Sequence, residues 1–212
     1  MFNSTISIKS RTNALIEARR KKLFTEFQTQ KPFLKWAGGK TQMISDILKF
    51  VPKKFNNYIE PFIGGGALYF NLNHPKSIIS DLNEELVITY KQVKENIYDV
   101  IKILETHKNT EEYYYKIRAV DTQKLSDSEK AARLIYLNKT CFNGLFRVNK
   151  KGEFNVPYGK RSGSFLNKET LLGASNYLQE TDIYYSDYKE ILKKYAKKGD
   201  FIFLDPPYQP VG

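Results

Sequence analysis

Apolar residues fall along the chain in short blocks that alternate with glycine-containing loops and amphipathic stretches. Asn57-Tyr-Ile-Glu-Pro-Phe-Ile reads as a buried strand running into Gly64-Gly65-Gly66, and residues 67–72 open the helix behind it. Ser77-Ile-Ile-Ser-Asp81 is a second short strand that ends on a carboxylate, and residues 84–94 are again helical. After a long interruption the alternation resumes. Residues 182–187 read as a strand, 188–194 as a helix, and Asp200-Phe-Ile-Phe-Leu-Asp205 as a buried strand. Strands alternating with helices predict a doubly wound α/β domain, with ligands expected beyond the carboxyl ends of the strands.

The interruption, residues 96–170, has a different texture. Its helical stretches carry Tyr113-Tyr114-Tyr115 and a capping-box pattern, Ser126-Asp-Ser-Glu129, ahead of an apolar helix. Beyond Cys141, two β-rich runs flank Asn149-Lys150-Lys151-Gly152, a hairpin signature. Lys139, Arg147, Lys150, Lys151, Lys160 and Arg161 face a single acid there, Glu153, so the inserted hairpin is basic and suited to an anionic partner. Residues 1–30 form an N-terminal extension. In it residues 13–27 suit a helix, and Arg19-Arg20-Lys21-Lys22 is either a phosphate contact or a solvated helix face. The expected organisation is therefore an extension at 1–30, a catalytic domain split between 31–95 and 171–212, and an insertion at 96–170.

Composition narrows the class. The 212 residues are 41% hydrophobic, enough for a packed core, and 34 Lys+Arg against 23 Asp+Glu give a net charge of +11, which favours a polyanionic partner. One cysteine excludes an intrachain disulfide framework, and His74 and His107 stand far apart, so no metal site is expected. No stretch approaches the roughly 20 apolar residues of a spanning helix, and no signal segment is legible, so a cytoplasmic protein without membrane attachment is expected.

Asp205-Pro206-Pro207-Tyr208 carries the strongest chemistry. The lone pair of an exocyclic base amine is delocalised into its ring. A carboxylate beside a backbone carbonyl, that of Pro206, can accept both amine hydrogens and restore nucleophilicity, while Tyr208 offers a flat face for the base. The competing reading is a strand terminator with a core tyrosine. The triple glycine permits close backbone approach by a ligand, or simply a tight strand-to-helix turn. Asp81 is placed to bind ribose hydroxyls or to cap the next helix. Trp36-Ala-Gly-Gly-Lys40-Thr41 is no P-loop, because Leu34 stands where that motif needs glycine. Its lysine either meets an anionic group or is a solvated turn residue.

Together, Lys35-Trp-Ala-Gly-Gly-Lys40, Glu60-Pro-Phe-Ile-Gly-Gly-Gly66, Asn143-Gly-Leu-Phe-Arg147-Val-Asn149 with Gly152-Glu-Phe-Asn-Val-Pro157, and Asp205-Pro-Pro-Tyr208 resemble the DNA adenine-N6 methyltransferases of the Dam type, in sequence order, over about residues 31–210. The resemblance implies a Rossmann-like methyltransferase fold with an inserted helical and β-hairpin target-recognition domain. It implies S-adenosylmethionine as donor, S-adenosylhomocysteine as product, no metal, and adenine N6 in duplex DNA, usually in GATC, as acceptor. By motif position, Trp36, Lys40, Phe62, Gly64, Asp81, Asp187, Tyr188 and Asp205 serve the cofactor. Asp205, Pro206 and Tyr208 serve catalysis, and Phe142, Asn143, Arg147, Asn149 and Pro157 serve DNA recognition. A restriction endonuclease is the partner expected in a restriction-modification system. Acceptors other than duplex DNA, namely RNA or a protein side-chain amide, stay open, as does a DNA-binding module without activity. Relatives continue past the catalytic tetrad, so an incomplete sheet at the C-terminus and a weakly active or inactive isolated chain are expected.

Overall fold

A computed structural model describes residues 30–36, 39–72, 74–160 and 162–206. The first 29 residues, with the predicted basic helix, lie outside the described residues, as do Arg161, Pro207 and Tyr208.

Four parallel strands form the sheet: β1 (Tyr58–Glu60), β2 (Ser77–Asp81), β3 (Thr181–Tyr185) and β4 (Phe201–Ile202), in the spatial order β3-β2-β1-β4. The chain runs outward from β1 through β2 to β3, then crosses back to the other side of β1. The order therefore reverses between β1 and β4, which is where open α/β sheets bind ligands. The predicted strands sit where expected but are shorter. The expectation that residues 200–205 form a buried strand is corrected: Ile202 is 36% and Leu204 48% exposed. Among the described residues β4 is an edge strand with a neighbour on one side only, so one flank of its apolar run stays open.

Eight α-helices complete the described chain: α1 (Ile44–Ile47, flanked by 3-10 turns), α2 (Ala67–Leu72), α3 (Glu84–Glu95), α4 (Ile97–Glu105), α5 (Glu111–Arg118), α6 (Asp127–Thr140), α7 (Lys168–Leu178) and α8 (Tyr188–Tyr195). Their starts are chemically marked. Asn83, Thr110, Ser126, Asn167 and Asp187 each accept a hydrogen bond from a backbone N–H of the first turn. The box predicted at Ser126 is complete, with the Glu129 carboxylate returning to the Ser126 N–H at 2.8 Å. No helix among the described residues is long and apolar enough to cross a membrane.

The interruption lies within the β2-to-β3 crossover, and its helices share the core of the sheet. On α4, Ile97, Val100, Ile101 and Leu104 are buried at helical spacing. Every residue from Ala131 to Asn138 is buried, so α6 is a central helix, packed along α3 and α4. Arg133 is buried on α6. Its guanidinium meets Glu85 on α3 at 3.0 Å and donates to the carbonyls of Ile117 (3.1 Å) and Arg118 (2.8 Å). The basic hairpin that follows is thin: its antiparallel pairing consists of isolated bridges, Cys141 with Tyr158 and Val148 with Phe154, rather than regular strands.

Candidate active site

The reversal point opens a cavity of about 310 Å³, lined by Trp36, Lys40, the 62–66 loop, Asp81, Phe203 and Asp205 among others. Besides the segment carrying Trp36, Gly39 and Lys40, three segments build it. The first is the turn after β1. Gly64 has φ +47°, and a Cβ added there would lie 2.9 Å from Trp36 Cδ1; one at Gly66, φ +69°, would lie 2.8 Å from the Tyr90 hydroxyl. Only glycine gives the backbone both this curvature and this closeness to its neighbours. Second, the end of β2 supplies Asp81, whose Oδ2 accepts from the Gly64 N–H at 3.1 Å and whose Oδ1 accepts from the Asn83 N–H at 2.9 Å. The capping alternative falls to Asn83, which accepts from the Leu86 N–H, so Asp81 braces the glycine turn instead. Burial raises the Asp81 pKa, against the backbone N–H groups of Asn83, Gly64 and Leu82 that favour its charge.

Third, the chain beyond β4 supplies Asp205, and its Oδ2 lies 2.6 Å from Lys40 Nζ. The two side chains are 27% and 17% exposed, so this pair is mostly sheltered at the cavity wall. Lys40 is thus no solvated turn residue. Pro206 is exposed beside Asp205. At the rim, Phe62 packs on Tyr188 with ring centroids 5.3 Å apart. Asp187 caps α8 by accepting from the Lys189 N–H at 2.8 Å.

Opposite the glycine turn, Trp36 stacks on Phe146 of the hairpin, centroids 4.6 Å apart and planes at 16°. Phe142, Asn143 and Arg147 are exposed on that hairpin, as is Pro157. Asn143 takes φ 55°, a left-handed conformation that asparagine tolerates better than most residues. The Arg147 guanidinium donates to Asn155, to Oδ1 at 2.8 Å and to the carbonyl at 3.3 Å, which holds the side chain extended across the hairpin. Asn149 serves the turn: its Oδ1 accepts from the N–H groups of Lys151 and Glu153, and its amide donates to the Glu153 carboxylate at 2.7 Å.

A profile of the D12 class N6 adenine-specific DNA methyltransferases matches residues 36–211. The chain belongs to this family. It is 42% identical over 190 residues to a type II methyltransferase of Lactococcus lactis subsp. cremoris, an alignment covering 85% of this chain and 66% of that protein. It is 41% identical over 203 residues to a type II methyltransferase of Methanocaldococcus jannaschii, covering 85% of this chain and 70% of the relative. To the DNA adenine methylase of Haemophilus influenzae it is 35% identical over 186 residues, with 85% and 65% covered. The chain thus spans about two thirds of the length of these relatives.

Within this D12 framework the cavity brings together most of the residues that the sequence assigns to cofactor and catalysis: Trp36, Lys40, Phe62, Gly64, Asp81 and Asp205 line it. Asp187 and Tyr188 stand at its edge through the Phe62 contact, and the hairpin residues form a separate group joined to the cavity by Trp36.

Glu60 escaped sequence reasoning, although a carboxylate inside an apolar strand is a legible signal. It lines the cavity and is buried, and it accepts a 2.7 Å hydrogen bond from the Tyr58 hydroxyl. Burial pushes its pKa up to about 8, with Asp205 and Asp81 adding in the same direction and bonds from Tyr58 and the Tyr69 backbone opposing. Glu60 is therefore mainly protonated at neutral pH, and the cavity holds one carboxylate charge fewer than its composition suggests.

A folded-state pKa above the unfolded 4.5 favours the fold fully below about pH 4.5, and that contribution is lost as pH rises through about 8. Relative to the parent protein, Glu60→Gln is expected to flatten the fall in thermal midpoint between pH 5 and pH 8. Thermal melts across that window check this, and an unchanged slope removes Glu60 as its source.

Proposed function

We propose that this chain carries out site-specific methylation of adenine N6 in duplex DNA, with S-adenosylmethionine as donor and GATC as target. The observation that carries the reading is the placement of Asp205 beside Lys40 at the strand reversal, in one cavity with the glycine turn and Asp81. These residues fit the donor. The glycine turn lets backbone approach closely, Asp81 and Asp205 suit a ligand with hydroxyl, ammonium and sulfonium groups, and Trp36, Phe62 and Phe203 supply flat apolar walls. When bound there, S-adenosylmethionine supplies an electrophilic methyl group.

The chain's own residues do the rest. Asp205 and the Pro206 carbonyl accept hydrogen bonds from the amine of a base turned out of the duplex, and Asp205 takes up its proton. Lys40, 2.6 Å away, holds the Asp205 carboxylate in place. Tyr208 stacks on the extruded base, offsetting part of an unstacking cost of about a few kcal/mol. Orientation and charge placement supply the acceleration, without need of a metal. Asp187 and Tyr188 close the far side of the cofactor site.

Recognition falls to the hairpin. Arg147 reads guanine through O6 and N7, with Phe142, Asn143, Asn149 and Pro157 shaping the contact surface. The basic hairpin favours duplex DNA over a protein amide as acceptor. The relatives named type II methyltransferases support a restriction endonuclease as the functional partner, with both acting on DNA in the cytoplasm.

Protection of a GATC-containing plasmid from a nuclease blocked by N6-methyladenine tests the target. Arg147→Ala is expected to lose about 1–3 kcal/mol of discrimination against duplexes in which the contacted guanine is changed. Equal discrimination in the variant and the parent removes the hairpin from specificity.

A further inference from the structure

Asn138, fully buried on α6, belongs to neither the cavity nor the exposed hairpin, yet it holds both. Its Oδ1 accepts from the Lys35 N–H at 2.9 Å, and its Nδ2 donates to the Lys35 carbonyl at 2.7 Å and to the Gly144 carbonyl at 3.2 Å. Both backbone groups of the residue before Trp36 are thus tied to one amide, which also grips the base of the hairpin. The packing repeats the connection. Gly144, φ +66°, lies so close to Lys35 that a Cβ there would meet Lys35 Cδ at 2.6 Å. Trp36 rests its five-membered ring against Gly64 and stacks on Phe146, and Phe146 meets Phe154 edge-on across the hairpin at 5.7 Å.

We propose that Asn138 and the Trp36–Phe146 stack are positioning elements that couple engagement of the hairpin by its DNA site to binding of the cofactor. The proposal rests on the assignment of the Trp36–Gly64–Asp81 cavity to S-adenosylmethionine. The hairpin's own ladder is thin, so contacts to the body of the protein fix much of its position. DNA that orders the hairpin orders Phe146, which neighbours the guanine-reading Arg147. Phe146 in turn fixes Trp36 against the glycine turn, whose Gly64 N–H is held by Asp81. The ordering cost of the cofactor wall is then met when DNA binds, and the second ligand binds more tightly. Asn138 makes the two segments move as one, because shifting either alone strands amide groups in a buried site. Linkage requires the effect to be reciprocal.

Calorimetric titration of S-adenosylhomocysteine, which cannot react, measures the effect with and without a duplex carrying the preferred site. Trp36, the only tryptophan of the chain, gives a second signal under selective excitation. The unsubstituted protein is expected to bind the cofactor product about 5- to 150-fold more tightly with the duplex present. In Phe146→Ala that ratio falls to about one, and Phe146→Tyr restores it. Asn138→Ala is expected to lose the ratio too, but Asn138 is fully buried, so the partly buried Phe146 is the decisive position.

A purely structural role for Phe146 weakens both affinities equally and leaves the ratio intact, which overturns the proposal. So does a parent ratio of one, or an equal ratio with duplex lacking the site. Absence of any cofactor binding by the folded parent overturns the functional assignment itself, and the coupling with it.

Discussion

Replacing Asp205 with alanine is expected to lower the rate of methyl transfer by about 10²- to 10⁴-fold while leaving duplex affinity, measured without cofactor, close to that of the parent. The expectation follows from position. Asp205 follows the edge strand β4, faces the reversal between β1 and β4, and is held 2.6 Å from Lys40 on a separate segment. An amine nitrogen with a delocalised lone pair needs an acceptor at that point, and alanine provides none. The change also leaves Lys40 facing the cavity without this carboxylate, which opposes a sulfonium, so cofactor affinity falls as well. Asp205→Asn keeps one acceptor oxygen without charge and is expected to fall between the two. The hairpin lies on other segments, which is why DNA affinity survives. Single-turnover transfer and a duplex-binding isotherm on the same preparations check both halves, and transfer retained in Asp205→Ala removes the residue from catalysis.

The largest expected loss of stability comes from Arg133. Its side chain is only 6% exposed, and burial lowers its pKa while raising that of Glu85, each against the pull of its partner. Desolvation thus weighs more than attraction at both ends, the regime in which removing one partner is far worse than removing both. Arg133→Met removes the donor to Glu85 and to the Arg118 carbonyl, and leaves the Ile117 carbonyl only the Val120 N–H, at a cost of about 3–5 kcal/mol. Against the roughly 5–15 kcal/mol that holds a typical domain folded, much of the margin disappears. The double change Arg133→Met with Glu85→Leu is expected to recover a large part of it. Urea unfolding of the three proteins measures the difference. Equal losses in the single and double variants contradict the account.

Much of this architecture could be read from local chemistry. The glycine turn, the carboxylate ending β2, and the helix starts at Asn83 and Ser126 are each written in a few adjacent residues, and the structure places them at those points. What escaped depends on residues distant in the chain. Nothing near Asn138 announces that its amide will clamp Lys35, 103 residues away. Phe146 reads as an ordinary apolar hairpin residue until Trp36 is found beneath it. The expected burial of residues 200–205 failed for a related reason: an apolar run shows that a strand is favoured, whereas its neighbours in the sheet decide how much of it is covered. Asn149 illustrates the reverse case, a residue expected at the DNA surface whose side chain organises the turn that presents that surface.

The central claim is that the cavity at the β1–β4 reversal delivers a methyl group to adenine N6. Its most direct test is mass spectrometry of nucleosides from a GATC duplex incubated with the protein and isotopically methyl-labelled S-adenosylmethionine. Labelled N6-methyl-2′-deoxyadenosine is expected from the GATC adenine, and none from a duplex in which that tetranucleotide is scrambled. Label on cytosine or on the protein itself in place of adenine, or equal labelling of the scrambled duplex, would contradict it.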